Sequence, residues 1–221
     1  MNIPYGMLPD GWYLGAGVLY LLLLVPALRG APWQRFRHTE THHVFFGAVV
    51  CLLVLWHITT TKFPGLDYHY IGATLLTLMF GWRLALVAFS LVYLGMLLNG
   101  ESDWQALPLN VLLMGAVPIA FSQALFTLVD RHLPNNFFVY LFLNAFFGAG
   151  LALVAMVLTT TAVLVAGGAY PFAKLAAEFL PFIPLMAFPE SFITGMLIAI
   201  MVVMVPSWVC SFDDFRYLRK K

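Results

Sequence analysis

IGATLLTLMFGWR, residues 71–83, decides how this chain is laid out. It holds an apolar run that stops at Gly81, after which Trp82 and Arg83 open another. A membrane-crossing helix needs about 20 apolar residues to match a hydrocarbon core about 30 Å thick. The run before Gly81 is half that. Such a segment is tolerated only where neighbouring helices or a cavity satisfy its ends. The composition leaves little choice of solvent: 62% of the 221 residues are hydrophobic and 10% are charged, against about 25% charged in soluble chains. Aromatic residues make up 16%, which suits a protein anchored at two membrane interfaces.

Working outward from 71–83, apolar stretches fall at 12–29, 43–61, 70–80, 83–99, 107–129, 137–167 and 185–209. The segment 168–184 carries Gly168, Pro171, Pro181 and Pro184 and reads as an extracytoplasmic loop or interfacial helix. The expected fold is one all-α integral membrane domain over 1–221, a bundle of about seven helices with the third one short. Seven crossings put nine of the 11 Lys and Arg residues on one side: Arg29, Arg35, Arg37, Arg83, Arg131, Arg216, Arg219, Lys220 and Lys221. Only Lys62 and Lys174 fall on the other. Positive charge marks the cytoplasmic side. The basic tail at 210–221 is therefore expected inside, and the lead at 1–11 outside. Without the short helix the charges scatter over both faces.

The lead begins MNIPYGMLP. Two prolines and a glycine bar a regular helix there. It has no Lys or Arg, so it is no secretory signal. On the same outer side lies FPGLDYHYIG, 63–72, with Asp67 and His69 just before the short helix. His69 reads either as a structural side chain or as a ligand. His38 and His42 share a helix face, but Glu40 stands in the wrong register for a zincin. His43 and His57 also share a face, yet a haem needs a second ligand from a facing helix, and no other long span holds a histidine. His57 reads as interfacial at the outer end of its helix.

Glu190 is the one acid within an apolar stretch, in FPESFITG. It is either a functional group at membrane depth or, following Pro189, a first-turn acid facing its helix dipole. Cys51 and Cys210 read as small buried hydrophobes. Gly148-Ala149-Gly150 lies within an apolar helix and reads as close packing, not a phosphate loop. A net charge of +1 argues against nucleic acid as a partner. No set of catalytic side chains converges, so the chain is not expected to be an enzyme.

Three motifs resemble the CbiM/NikM family. Met1-Asn2-Ile3-Pro4-Tyr5-Gly6 is similar to its opening Met-His-Ile-Pro-x-Gly. His69-Tyr70-Ile71-Gly72 resembles its His-Leu-x-Gly at the start of a short helix. Asn110-Val111-Leu112-Leu113-Met114-Gly115 resembles its Asn-Val-x-Asn-Met-Gly. The resemblance implies the membrane-embedded substrate-capture component of an energy-coupling-factor transporter for cobalt or nickel in the cytoplasmic membrane. It implies partner ATPase subunits and a transmembrane coupling protein, with the lead inserted into the bundle. Metal ligands carried over are Met1, through its amine, position 2 and His69.

This chain departs at Asn2, where the family has His. The amine, a deprotonated backbone amide and His69 remain as donors, and Asp67 or the thioether of Met1 or Met7 could complete the set. A thioether would favour Cu(I) over Ni2+ or Co2+. The alternative is a divergent carrier or binding protein for a non-metal small ligand.

Overall fold

The computed structural model describes residues 2–58 and 60–217, the side chains at 60–63 and 214 excepted. Among the described residues five helices are long and apolar enough to cross a membrane. They are α1 (Asp10–Gly30), α2 (Thr39–His57), α5 (Leu107–His132), α6 (Phe137–Ala166) and a stretch Phe172–Met204. That stretch divides into a short helix, Phe172–Glu178, and α7, Ile183–Met204. Between α2 and α5 lie α3 (Ala73–Phe80, 8 residues) and α4 (Trp82–Leu98, 17 residues). The chain is a predominantly helical, multi-pass membrane bundle.

At 1.5 Å per residue, α3 covers only about 12 Å. It is also the most enclosed element: seven of its residues, from Ala73 to Phe80 and sparing only Leu75, are buried. A short helix in such a place leaves backbone groups that lipid cannot satisfy. The end of the chain satisfies them. At the start of α3 the Glu190 carboxylate accepts the N–H groups of Ile71, at 2.7 Å, and Gly72, at 2.8 Å. At its far end Cys210 N–H donates to the Met79 carbonyl and Ser211 N–H to that of Leu78. The Ser211 hydroxyl donates to Leu78 as well, at 2.8 Å, and meets Tyr140 OH at 2.7 Å. Within α3, Thr74 bonds to Ser122, which donates to the Pro118 carbonyl.

The helices approach one another through small residues. A Cβ at Gly150 would stand 2.4 Å from Ser191 Oγ, and one at Gly195 would stand 3.2 Å from the Phe146 ring. This is the close packing that Gly148-Ala149-Gly150 suggested. α5 widens into a π-helical stretch at Val111–Ala116. Pro118, just beyond it, lacks the N–H that would bond to Met114.

Four expectations need correction. The all-α reading misses a hairpin, with β1 (Thr60–Phe63) antiparallel to β2 (Leu66–Tyr68) and Thr61 opposite Asp67. The span read to residue 61 therefore ends as a helix at His57. β-Branched threonines favour strand, and Gly65, at φ 78°, turns the chain after Pro64. Glu190 is not a first-turn acid of its own helix, because α7 begins at Ile183. It faces the N-terminus of α3 instead. Finally, Cys51 and Cys210 are exposed free thiols, not buried ones. In a membrane protein an apolar sequence does not imply an interior place, since lipid-facing positions are apolar too.

Candidate functional site

Residues 2–9 form an irregular strap that lies in one end of the bundle. Ile3 is fully buried, at 0% exposure, and Leu8 is buried as well. A strap without secondary structure must find partners for its backbone groups elsewhere. Asn110, also 0% exposed, supplies them. Its Oδ1 accepts the Ile3 N–H at 2.9 Å, and its Nδ2 donates to the Ile3 carbonyl at 2.9 Å and to Asn2 Oδ1 at 3.0 Å. Tyr13 does the same one turn into α1, donating to the Pro4 carbonyl and accepting from Leu8 N–H. Asp103 accepts the N–H of Tyr5 at 2.8 Å. Tyr5 gives its hydroxyl to Asp10, and that bond to a carboxylate raises the phenol pKa above its ordinary value.

The hairpin joins the strap to His69. A Cβ at Gly65 would stand 3.1 Å from the Met7 sulfur and 3.5 Å from Ile3 Cα, so the strap rests on the hairpin turn. His69 follows the second strand directly. Its half-buried ring lies 4.7 Å from that of Trp56, centroid to centroid. Its Nδ1–H donates to the Tyr70 carbonyl at 3.2 Å. In a neutral ring held this way the lone pair sits on Nε2, the arrangement a metal-binding imidazole uses. The next residue, Tyr70, reaches α7 through a 2.9 Å bond to Thr194. Glu190 then takes the amides of Ile71 and Gly72.

The other expected ligands divide. Met1 lies outside the described residues. Asn2 turns its side chain toward the α4–α5 loop: Nδ2 donates to the Glu101 carbonyl at 2.5 Å, while Oδ1 accepts from Ser102 and Asn110. Asp67 sits half-buried on β2, within electrostatic reach of Tyr93. Among the described residues no group of three or more His, Cys, Asp or Glu side chains is arranged to hold a metal ion. His57 pairs with Glu101 at 2.8 Å, both side chains being more than a third exposed. The residues the sequence reading missed are those that hold the strap: Asn110 as its latch, Tyr13, Asp103 and the backbone of Glu101. Asn110 stood within a quoted motif, but nothing there disclosed its partner 107 residues away.

A family profile, the cobalt uptake substrate-specific transmembrane region CbiM, matches residues 2–208. The chain belongs to the CbiM family. Its fold agrees with two solved structures. One is the crystal structure of a truncated transition metal transporter, with 18% identity, a TM-score of 0.76 and coverage of 92% of this chain and 99% of that one. The other is the crystal structure of a transition metal transporter, with 19% identity, a TM-score of 0.74 and coverage of 91% and 92%. No curated protein matches significantly. CbiM membership makes the chain a component of a metal-uptake transporter. The matched region spans the strap from Asn2, the hairpin, His69 and Glu190.

Proposed function

We propose that this CbiM protein captures a divalent transition metal ion, Ni2+ or Co2+, at the outer face of the cytoplasmic membrane. The chain crosses seven times, counting α3, with the strap outside and the C-terminus in the cytoplasm. That arrangement gives the nine-to-two division of positive charge. The ion is held by the N-terminal amine, the backbone amide of Asn2 and His69. An amine with an unperturbed pKa of about 7.7–8.0 gives up its proton to a metal readily. The sequence carries no Gly-rich phosphate loop, and in this reading separate ATPases and a coupling membrane protein supply the energy.

The observation that carries this reading is the docking of the strap. Asn110 holds both backbone groups of Ile3, and Ile3 in turn lies against the Gly65 turn of the hairpin that leads into His69. An ordinary external tail would have no use for a buried asparagine. The test is metal analysis and Co2+ titration of protein with its native N-terminus. Bound metal that is lost in His69→Ala, and lost again when residues are added before Met1, is the expected result. Retention of metal in both would overturn the assignment.

Two observations favour a second reading. The side chain that replaces the family histidine, Asn2, is bonded to the α4–α5 loop. Trp56 Nε1, on the residue packed against His69, is buried and has no hydrogen-bond partner among the described residues. A small polar organic ligand would use such a donor. Well-folded protein that binds no transition metal would favour this alternative.

A further inference from the structure

We propose that Glu190 is the counter-charge of the cation site, an inference that rests on the capture reading above. The amides of Ile71 and Gly72 open α3, and the N-terminus of a helix carries about half a positive charge. Helix N-termini attract anions. Such an end, two residues after His69, is a poor neighbour for a divalent cation. The chain reverses its sign. Glu190 reaches from the middle of α7, 3% exposed, and places one carboxylate oxygen on each amide, at 2.7 and 2.8 Å.

A plain helix cap does not need this device. Ser, Thr, Asn or Asp at the N-cap accepts such amides without burying a distant charge. Here the N-cap is Gly72, which has no side chain to offer. The carboxylate comes from another helix, 118 residues later in the chain. Among the described residues Glu190 has no ion-pair partner. Its other neighbours on this face are neutral: Tyr70 and Thr194 bond to each other. A buried charge without an opposite charge is costly. A cation bound beside His69 is the partner that offsets that cost.

The separation along the chain is short. Ile71 lies two residues from His69, at most about 7 Å along an extended chain. A carboxylate bonded to its amide acts on a divalent ion with about tenfold or more in affinity, even in a well-screened protein interior. Glu190 touches no metal in this account. It sets the field in which the ligands work.

The experiment compares Co2+ binding by full-length wild-type protein, Glu190→Gln, Glu190→Asp and His69→Ala, each with a native N-terminus in lipid nanodiscs. Gln keeps the length and removes the charge; Asp keeps the charge and shortens the reach. A counter-charge predicts at least a tenfold weaker Kd for Gln and less than threefold for Asp. It also predicts an unchanged visible spectrum for Co2+-saturated Glu190→Gln, because the ligand set is intact. Should Glu190→Gln fail to fold, Glu190→Ala supplies the uncharged arm. Wild-type affinity in the uncharged variant, equal weakening by Asp and Gln, or an altered Co2+ spectrum would overturn the proposal. Failure of the capture reading shows separately: the wild type takes up no Co2+, or His69→Ala binds as well as the wild type, and this inference falls with it.

Discussion

Asn110 and Ile3 form a closed pair across 107 residues of sequence: the amide oxygen takes the backbone N–H at 2.9 Å, and the amide nitrogen returns a bond to the carbonyl at 2.9 Å. One side chain thereby replaces the strand partner that a buried extended segment would otherwise require. The strap owes its depth to this exchange.

Removing the latch should free the strap. Asn110→Ala leaves a buried N–H and C=O without partners, each costing about 1–3 kcal/mol. The expected outcome is faster hydrogen exchange confined to residues 3–8, with the helices unchanged and metal uptake reduced. Uniform exchange across the whole protein would show instead that Asn110 supports the fold at large.

The ion pair at the same end should matter little. His57 and Glu101 lie 2.8 Å apart, but both side chains are more than a third exposed. Exposed pairs of this kind contribute about 0–1 kcal/mol. Glu101→Gln should leave thermal unfolding nearly unchanged, because Asn2 is held by the backbone carbonyl of Glu101 and not by its carboxylate. A loss as large as that in Asn110→Ala would contradict this division of roles.

Gly72→Ala should damage both stability and the site. Gly72 has φ +74°, and a Cβ there would stand 3.0 Å from Leu52 and 3.1 Å from the Tyr70 ring. The left-handed conformation alone costs an L-residue about 1–2 kcal/mol. Lower thermal stability together with weaker Co2+ binding is expected. The same Ala substitution at Gly15, where a Cβ would meet nothing within 4 Å, is the control and should be neutral or slightly stabilising.

Ser211→Ala tests the other end of α3. It removes the hydroxyl bond to the Leu78 carbonyl and strips buried Tyr140 of its partner. A loss of about 1–3 kcal/mol follows from leaving the Tyr140 hydroxyl unsatisfied, since the Ser211 N–H still serves the Leu78 carbonyl. Thermal unfolding should fall by several degrees while Co2+ affinity in the folded protein stays at the wild-type value. Lost affinity at full folding would mean the two ends of α3 are coupled more tightly than these contacts suggest.

Much of this architecture was legible in residue order. Long apolar runs fix membrane helices because lipid admits few alternatives, and Gly81 marked the break between α3 and α4. The hairpin was not legible, since Thr60 and Thr61 continue an apolar run and only their pairing with Tyr68 and Asp67 reveals the strand. For the site, the prolines and Gly6 of the lead identified an irregular strap, and His69 stood out by its place before a short helix. The groups that fix the strap did not. The side chains of Asn110, Asp103 and Tyr13 bond to backbone atoms of the strap, and no pattern in a single sequence records which distant amide a side chain will meet. Glu190 drew notice as an acid in an apolar run, but its target on α3 required the packed bundle.

The dependence of α3 on the last segment also constrains biogenesis. Both termini of this short helix are closed by residues beyond position 189, made after more than a hundred further residues have left the ribosome. Until then, the end groups of nascent α3 lack the partners that close them in the folded bundle. A message truncated before α7 would yield a polypeptide whose interior never closes, and membrane proteases would meet it as an unfinished product.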